Sequence, residues 1–300
     1  MRLQTDLAME AAQIAGHLPD GVRVEEQFFT KDVHIHRVLI DNEQGQRAIG
    51  KPPGIYITIQ AQTLTGADAN VAADCTRALS EQLQTLFVQK PDRKHPVLIV
   101  GLGNRSITPD SLGPRVLEHL LVTRHMFALV PEQVDKRATS VAAIAPGVLG
   151  ETGLESGEVI EALVEQIHPS MVIAIDALAA LSPTRLATTV QLSDTGIAPG
   201  AGIGNQRPRL DQALLGVPVI AIGVPTVVHA TSLVVHALTD TVGPPDEAHR
   251  QALQQACGDL IVTPKDIDTI IAGCATVVAR GLNMALHGDL ALHEAAQLFS

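Results

Sequence analysis

From residue 97 onward, aliphatic runs alternate with segments of helical periodicity. The runs are "VLIVGLG", "SVAAIAP", "MVIAIDALAA" and "VPVIAIGVPTVV". A strand that is aliphatic at nearly every position is buried on both faces, which is typical of parallel sheets covered by helices. Two further strand-like runs, "VHIHRVLID" and "GIYITIQA", come before them. We therefore predict a single α/β domain over residues 1–300, with a mainly parallel sheet flanked by helices on both faces and an N-terminal β elaboration.

The balance of charges argues against direct binding of nucleic acid. The chain carries 21 basic and 32 acidic residues, a formal net charge of −11, so no broad basic surface is expected for a phosphate backbone. No Trp and a single Tyr are present, which disfavours aromatic platforms for stacking bases. A cationic or peptide-like partner fits this composition better.

The sequence predicts a soluble, intracellular protein without a membrane partner. Its first residues contain acids and lack the apolar block of a secretory signal. No apolar stretch is judged to approach the roughly twenty residues of a membrane span. Cys75, Cys257 and Cys274 show no C-x-x-C pairing, which argues against a disulfide framework and a cysteine zinc site.

Two carboxylates follow aliphatic strands. The strand "VLIV" leads through "GLGNRSITPDSLGP" to Asp110, and the strand "MVIAI" runs directly into Asp176. Ligands of open α/β sheets bind outside the carboxyl ends of the strands, and a carboxylate placed there is costly unless it is hydrogen-bonded or used. Taken alone, each residue is equally explained as a turn residue or a helix cap.

The glycine-rich turn after the first of these strands does not fit a nucleotide site. Gly101 and Gly103 match a dinucleotide fingerprint, but Ser106 stands at the third glycine position, and no acid follows at the distance of a ribose ligand. A G-K-[S/T] phosphate loop is also missing from the sequence. The turn therefore presents an acid rather than a phosphate cradle.

Several long motifs resemble the spore germination protease family. They are "GLGNRSITPDSLGP", "APGVLGETGLESGEVI", "AIDALAA", "SDTGIAPGAGIGNQR", "LGVPVIAIGVPTVV" and "TPKDIDTIIAGCATVVARGLN", which occur in this order along nearly the whole chain. This bacterial family of endopeptidases degrades the small acid-soluble proteins that coat spore DNA, and its fold is related to that of the hydrogenase maturation peptidases. The resemblance implies a three-layer, phosphorylase/hydrolase-like peptidase domain, a homotetramer, no cofactor, and a location in the cytoplasm of the forespore or the spore core.

The resemblance also implies which residues act. Asp110 and Asp176 match the family's catalytic carboxylates. Two nearby carboxylates titrate together, so one can hold a proton while the other draws a proton from water. Gly101 and Gly103 allow close approach of the substrate, and their N–H groups are candidate oxyanion donors. Arg207 is a candidate for orienting an acidic substrate, and His229 stands where the family more usually has Asp.

The N-terminal segment "QTDLAME" carries the family's substrate pattern, an acid followed by an aliphatic residue and Ala. Self-cleavage between Asp6 and Leu7 would remove residues 1–6 as a short pro-segment, so that the protein is made as a zymogen. The alternative is that Thr5 or Asp6 caps a helix.

Two rival functions stay open. Asp110, Asp176 and His229 would supply the ligands of a metal-dependent processing peptidase of the hydrogenase-maturation type if they converged. A non-enzymatic small-ligand module would instead use the glycine-rich loops around residues 101 and 200.

Overall fold

The computed structural model describes residues 5–15, 18–91, 93–135, 137–201 and 207–288. The helices within these ranges are α1 (Ala8–Ala15), α2 (Glu43–Ile49), α3 (Ala69–Thr85), α4 (Leu112–Leu117), α5 (Arg124–Leu129), α6 (Leu149–Thr152), α7 (Ser156–Ile167), α8 (Gln212–Leu215), α9 (Ala230–Thr241), α10 (Glu247–Cys257) and α11 (Ile267–His287). The strands are β1 (Val22–Phe28), β2 (Val33–Ile40), β3 (Gly54–Ala61), β4 (Val97–Gly101), β5 (Val141–Ile144), β6 (Met171–Ala180), β7 (Thr189–Ser193), β8 (Val219–His229) and β9 (Ile261–Val262).

All of these strands belong to one sheet, in the order β1-β2-β3-β7-β8-β6-β4-β5, with β9 paired to the end of β8. The pairs β8–β6, β6–β4 and β4–β5 are parallel, and the others are antiparallel. The predicted α/β class and N-terminal β elaboration are confirmed. The sheet is more mixed than expected because the elaboration continues the parallel sheet through β7.

The antiparallel course of β7 follows from the short connection before it. Only residues 181–188 separate β6 from β7, whereas a parallel crossover needs a dozen or more residues. β7 therefore returns antiparallel to β8 and pairs on its other side with β3. This arrangement leaves a single strand, β8, between the β elaboration and β6.

Apolar side chains cover both faces of the sheet. Along β4, Ile99 belongs to a cluster with α3, α4 and α11, whereas Leu98 and Val100 belong to a second cluster with α7 and α8. A smaller third cluster joins α1 and α2 to β1, β2 and β3. The predicted helical layers on both faces are confirmed.

The helix α11 corrects one expectation from the sequence. It is 21 residues long and contains an 18-residue stretch with a mean hydropathy of 1.5, so by length and composition the helix could cross a membrane. Most of it is buried inside the protein, and it packs on α3 and α4. Cys274 is fully buried in α11. The apolar character of α11 is therefore that of a core helix.

Candidate active site

Asp176 lies within β6, where it is only 5% exposed. Its Oδ1 accepts a hydrogen bond of 2.9 Å from the N–H of Ala177. Burial, followed by the charges of Asp110 and Asp6, raises the pKa of Asp176 well above its usual value. This carboxyl group is therefore disposed to hold a proton at a pH where ordinary carboxyl groups are ionised.

Asp110 ends a short 3-10 turn that follows β4. Its Oδ2 accepts a hydrogen bond of 2.8 Å from the N–H of Asn104. Burial raises the pKa of Asp110, while the Asn104 N–H and the charge of Arg207 oppose that increase. Because the charge of Asp110 in turn raises the pKa of Asp176, the structure brings the two predicted carboxylates into one site.

The two glycines of the turn have different structural roles. Gly103 has a φ of 103°, and a Cβ at this position would lie 2.0 Å from the main-chain oxygen of Asp110. Gly103 therefore allows the turn that holds Asp110. A Cβ on Gly101 would lie 2.5 Å from the main-chain oxygen of Gly113, so Gly101 lets α4 approach β4. The oxyanion role predicted for both N–H groups stays a prediction.

A cavity of about 500 Å³ lies beside Asp176. Its walls come from the N-terminal segment, the end of α2, the ends of β6 and β7, and the loop after β7. The charged or amide side chains that line it are Asp6, Lys51, Asp176, Gln191 and Arg209. The cavity therefore joins one of the paired carboxylates to a set of polar groups from the antiparallel part of the sheet.

The N-terminal segment is docked on the end of β6 and forms one wall of this cavity. The N–H of Asp6 donates to the main-chain oxygen of Ala179 at 3.0 Å, and the N–H of Ala179 donates to Asp6 Oδ2 at 2.9 Å. The carboxylate of Glu10 accepts hydrogen bonds from the N–H groups of Leu181 and Ser182 at 2.8 and 2.9 Å. The Asp6 carboxylate thus binds the main chain of β6. If Asp6 simply capped α1, its carboxylate would bind N–H groups in the first turn of α1 instead.

The predicted cleavage position is consequently buried beside the aspartate pair. Leu7 is fully buried, and the charge of Asp6 contributes to the raised pKa of Asp176. Burial also raises the pKa of Asp6, against the effects of the Ala179 N–H and the charge of Lys51. The segment that carries the substrate-like pattern therefore reaches the candidate site of its own chain.

Lys51 is a site residue that the sequence reasoning missed. Burial lowers the pKa of its ammonium group, and the charge of Asp6 is the largest effect in the other direction. Arg209, also missed, donates from Nη2 to the main-chain oxygens of Thr195 and Gly196. The only signal for Lys51 in the sequence is its isolation between Gly50 and a Pro-Pro pair, which is weak.

Arg207 is the cation that the sequence predicts to orient an acidic substrate. Arg207 lowers the pKa values of Asp110 and Asp176, so it lies by the aspartate pair, while residues 202–206 before it lie outside the described ranges.

His229 ends β8, and its charge affects the pKa of Asp6. Throughout the part of the chain that the structure describes, no three His, Cys, Asp or Glu side chains converge as metal ligands. The ligand set of Asp110, Asp176 and His229 is therefore not assembled in this structure.

Comparison with known proteins gives consistent matches. The model of the germination protease family matches residues 4–243. The chain is 39% identical to a germination protease of Clostridium perfringens (strain ATCC 13124), with 97% of each chain covered. It is 39% identical to a germination protease of Caldanaerobacter subterraneus subsp. tengcongensis, with 99% of this chain and 98% of the relative covered. Among solved structures, the [NiFe] hydrogenase maturation protease HycI from Thermococcus kodakarensis KOD1 aligns with a TM-score of 0.36 and 16% identity, over 67% of this chain and 98% of the other.

Proposed function

Because the chain belongs to the germination protease family, we propose that it is an endopeptidase that cleaves small acid-soluble spore proteins and uses Asp110 and Asp176 to activate water. The observation that carries this proposal is the arrangement of two mutually interacting carboxyl groups, Asp176 buried and Asp110 partly buried, next to a docked peptide segment. A carboxyl pair with unequal proton affinities supplies an acid and a base at the same pH.

In this proposal the two aspartates have different roles. Asp176 is the more deeply buried and has the charge of Asp110 beside it, so it holds the proton. Asp110 is the base because the Asn104 N–H and Arg207 favour its ionised form. Asp110 takes a proton from water as the water oxygen bonds to the peptide carbonyl carbon. Asp176 gives its proton to the leaving nitrogen as the C–N bond breaks, which yields a carboxylic acid and an amine.

We propose that the chain first acts on itself, between Asp6 and Leu7. The support is that this peptide bond is docked at the cavity that Asp176 lines, with Asp6 before an aliphatic residue and Ala. The chain would then be a zymogen whose residues 1–6 form a pro-segment; residues 1–4 lie outside the described ranges. Cleavage after an acid also suits Lys51, whose charge acts on Asp6.

The remaining parts of the proposal extend from the family. Residues 1–300 form one peptidase domain that assembles as a homotetramer, needs no cofactor, and acts in the cytoplasm of the forespore or the spore core. Arg207 and His229 orient the bound peptide, because their charges reach Asp110 and Asp6 respectively. Gly101 and Gly103 keep the backbone of the turn close enough for substrate to approach.

The test is mass spectrometry of a peptide with the sequence "LQTDLAMEAA" after incubation with the protein. We expect a cut between its Asp and Leu that is lost in Asp110→Asn and Asp176→Asn and unaffected by a chelator. Asp135→Asn is the matched control, because Asp135 pairs with Arg137 away from the cavity. The N-terminus of each protein is read in the same samples.

Each other result favours a rival. Loss of the cut on chelation favours the metal-dependent peptidase. Cleavage that persists in Asp176→Asn contradicts the aspartate pair. Folded wild-type protein that cuts neither the peptide nor its own N-terminus favours the ligand-binding module.

A further inference from the structure

Gln191 contacts the proposed cleavage position through both ends of its side-chain amide. Its Nε2 donates a hydrogen bond of 2.9 Å to the main-chain oxygen of Asp6. Its Oε1 accepts a hydrogen bond of 2.7 Å from the N–H of Ala8. The two contacts fix the orientation of the amide, because a flipped side chain would place a donor against the Ala8 N–H and an acceptor against the Asp6 oxygen.

The position of Gln191 in the sheet explains how it reaches this segment. It lies in β7, only 9% exposed, and its main chain is held between Thr58 of β3 and Gly223 of β8. Gly223 is also registered with Asp176 of β6. Residues in register point to the same face of a sheet. Gln191 and Asp176 therefore lie on the same face, on the two strands that flank Gly223. With adjacent strands about 4.8 Å apart, their Cα atoms are separated by roughly 10 Å.

This separation suits a peptide group held between the two side chains. The glycine between them contributes no side chain of its own, and the cavity includes Asp176, Gln191 and Gly223 in its wall. Asp6 and Asp176 interact, as the raised pKa of Asp176 records. The carbonyl oxygen of Asp6 therefore has a fixed hydrogen-bond donor, Gln191, in the wall of a cavity that Asp176 also lines.

We propose that Gln191 is the oxyanion-binding residue of this protease. Its Nε2 donates to the carbonyl oxygen of the residue before the scissile bond, and its Oε1 holds the N–H of the second residue after that bond. The proposal rests on the proposed function, in which Asp6–Leu7 is a scissile bond. When the water oxygen bonds to the carbonyl carbon, negative charge develops on the carbonyl oxygen, and a donor already aimed at that oxygen stabilises the transition state.

The contact also distinguishes Gln191 from the donors expected from the sequence. Gly101 is packed against α4 and Gly103 against Asp110, whereas Gln191 already bonds the carbonyl oxygen in question. The side chain is held by a central strand, so little reorganisation is needed during the reaction. Gln191 itself is chemically unchanged in the cycle.

The first test compares kcat and KM for the peptide "LQTDLAMEAA" in wild type, Gln191→Glu and Gln191→Met. Glu keeps an acceptor but loses the donor, and Met loses both. We expect kcat to fall by about 10²-fold or more in each variant, the usual effect of removing one oxyanion donor. Gln82→Met is the control, since Gln82 is a buried amide that bonds Arg37 on β2 and lies outside the cavity.

A second measurement uses wild-type protein and so does not depend on whether the variants fold. A peptide with an N-methyl group on the Ala after the Leu lacks the N–H that donates a hydrogen bond to Gln191 Oε1. We expect its kcat/KM to be at least about tenfold lower than that of the parent peptide in wild type. The parent and methylated peptides should differ much less in Gln191→Met.

The outcomes separate this proposal from the one on which it rests. If wild type cleaves the peptide and Gln191→Met keeps its kcat, or changes only KM, the oxyanion role is wrong while the aspartate mechanism stands. An N-methyl effect of the same size in wild type and Gln191→Met contradicts the second contact. Folded wild type that cleaves no peptide overturns both proposals.

Discussion

Asp176 of β6 and Gln191 of β7 are both registered opposite the same residue, Gly223 of the intervening strand β8. A carboxyl group from the parallel part of the sheet and an amide from the antiparallel part therefore share one face with a glycine between them. The side chain of Leu178 leans over that glycine, because a Cβ at position 223 would lie 2.4 Å from Leu178 Cδ1. The space between Asp176 and Gln191 thus depends on the absence of a side chain at Gly223.

We predict that Gly223→Ala damages the site. The new methyl group would push Leu178, which is buried, toward the docked peptide. The expected cost is about 1–3 kcal/mol in the free energy of unfolding, as for other overpacked cores. Displacement of the peptide should also lower kcat/KM by roughly 10²-fold.

Urea unfolding and the peptide assay measure the two effects. Gly150→Ala is the control, because a Cβ there meets no heavy atom within 4 Å and the residue is in a helix. It should change activity little and stabilise the protein by about 0.5–1 kcal/mol. Equal behaviour of the two variants would show that Gly223 has no special role.

We predict that Gly103→Ala abolishes cleavage by displacing Asp110. The residue has a φ of 103°, and a Cβ would lie 2.0 Å from the main-chain oxygen of Asp110. Backbone atoms cannot move aside as a flexible side chain does, so the turn must rearrange. We expect loss of activity by at least about 10²-fold, together with a lower melting temperature.

Gly153→Ala separates the clash from the cost of the backbone conformation. Gly153 also has a positive φ, 73°, but a Cβ there meets no heavy atom within 4 Å. This variant should lose about 1–2 kcal/mol of stability, the usual cost of a left-handed conformation, and keep its activity. Thermal unfolding and peptide cleavage would be measured on both proteins. Full activity in Gly103→Ala would contradict the role of the turn.

We predict that Asp176→Asn is more stable than wild type at pH 7, although it is inactive. The folded pKa of Asp176 is raised above its unfolded value, so the folded state binds more protons between those two values. The stability that Asp176 contributes is therefore fully present below about pH 4 and is lost as the pH rises through the folded pKa. Asparagine does not titrate and escapes this loss.

Melting temperatures at pH 7 and pH 4 test the sign. At pH 7 the variant should melt about 2 °C or more above wild type, which corresponds to roughly 1 kcal/mol, and the difference should shrink toward pH 4. Asp135→Asn is a control of opposite kind, because its hydrogen bond to Arg137 lowers the pKa of Asp135 to about 2. It should give no stabilisation at pH 7. If the melting temperature of Asp176→Asn minus that of wild type is smaller at pH 7 than at pH 4, the raised pKa of Asp176 does not have this effect on stability.

The parallel half of the molecule was predictable from the sequence because its strands are aliphatic throughout. The carboxyl ends of neighbouring parallel strands meet at one edge, so Asp110 and Asp176 could be placed together from their positions after β4 and within β6. The alternation of strands and helices also predicted the helical layers. The identification of Asp110 and Asp176 as a catalytic pair came from the family motifs.

The other wall of the cavity was not predictable in this way. Gln191 lies in β7, a short strand with the polar alternation "TVQLS" that the sequence analysis did not recognise, and β1 and α2 were missed as well. Lys51 follows α2, far along the chain from Asp176. Only the register of β7 on β8, and of β8 on β6, brings Gln191 to Asp176, and a single sequence carries no direct record of cross-strand register.

We predict that Lys51 selects the acidic residue before the scissile bond. Lys51 lines the cavity, and of the cations that affect the pKa of Asp6 it has the largest effect. In the peptide assay, wild type should prefer Asp over Asn at that position by roughly tenfold or more in kcat/KM, since close pairs of opposite charges couple by about 1.5 kcal/mol or more. Lys51→Met should lose most of that preference, and Lys51→Arg should keep much of it.

Two further variants make this test specific. Lys31→Met removes a lysine whose side chain is 90% exposed and should leave the preference unchanged. Arg207→Met tests the cation favoured by the sequence; because Arg207 acts on Asp110 and Asp176, its loss should lower cleavage of the Asp and Asn peptides alike. If Arg207→Met erases the preference and Lys51→Met preserves it, the sequence-based choice was correct and Lys51 is not the selecting residue.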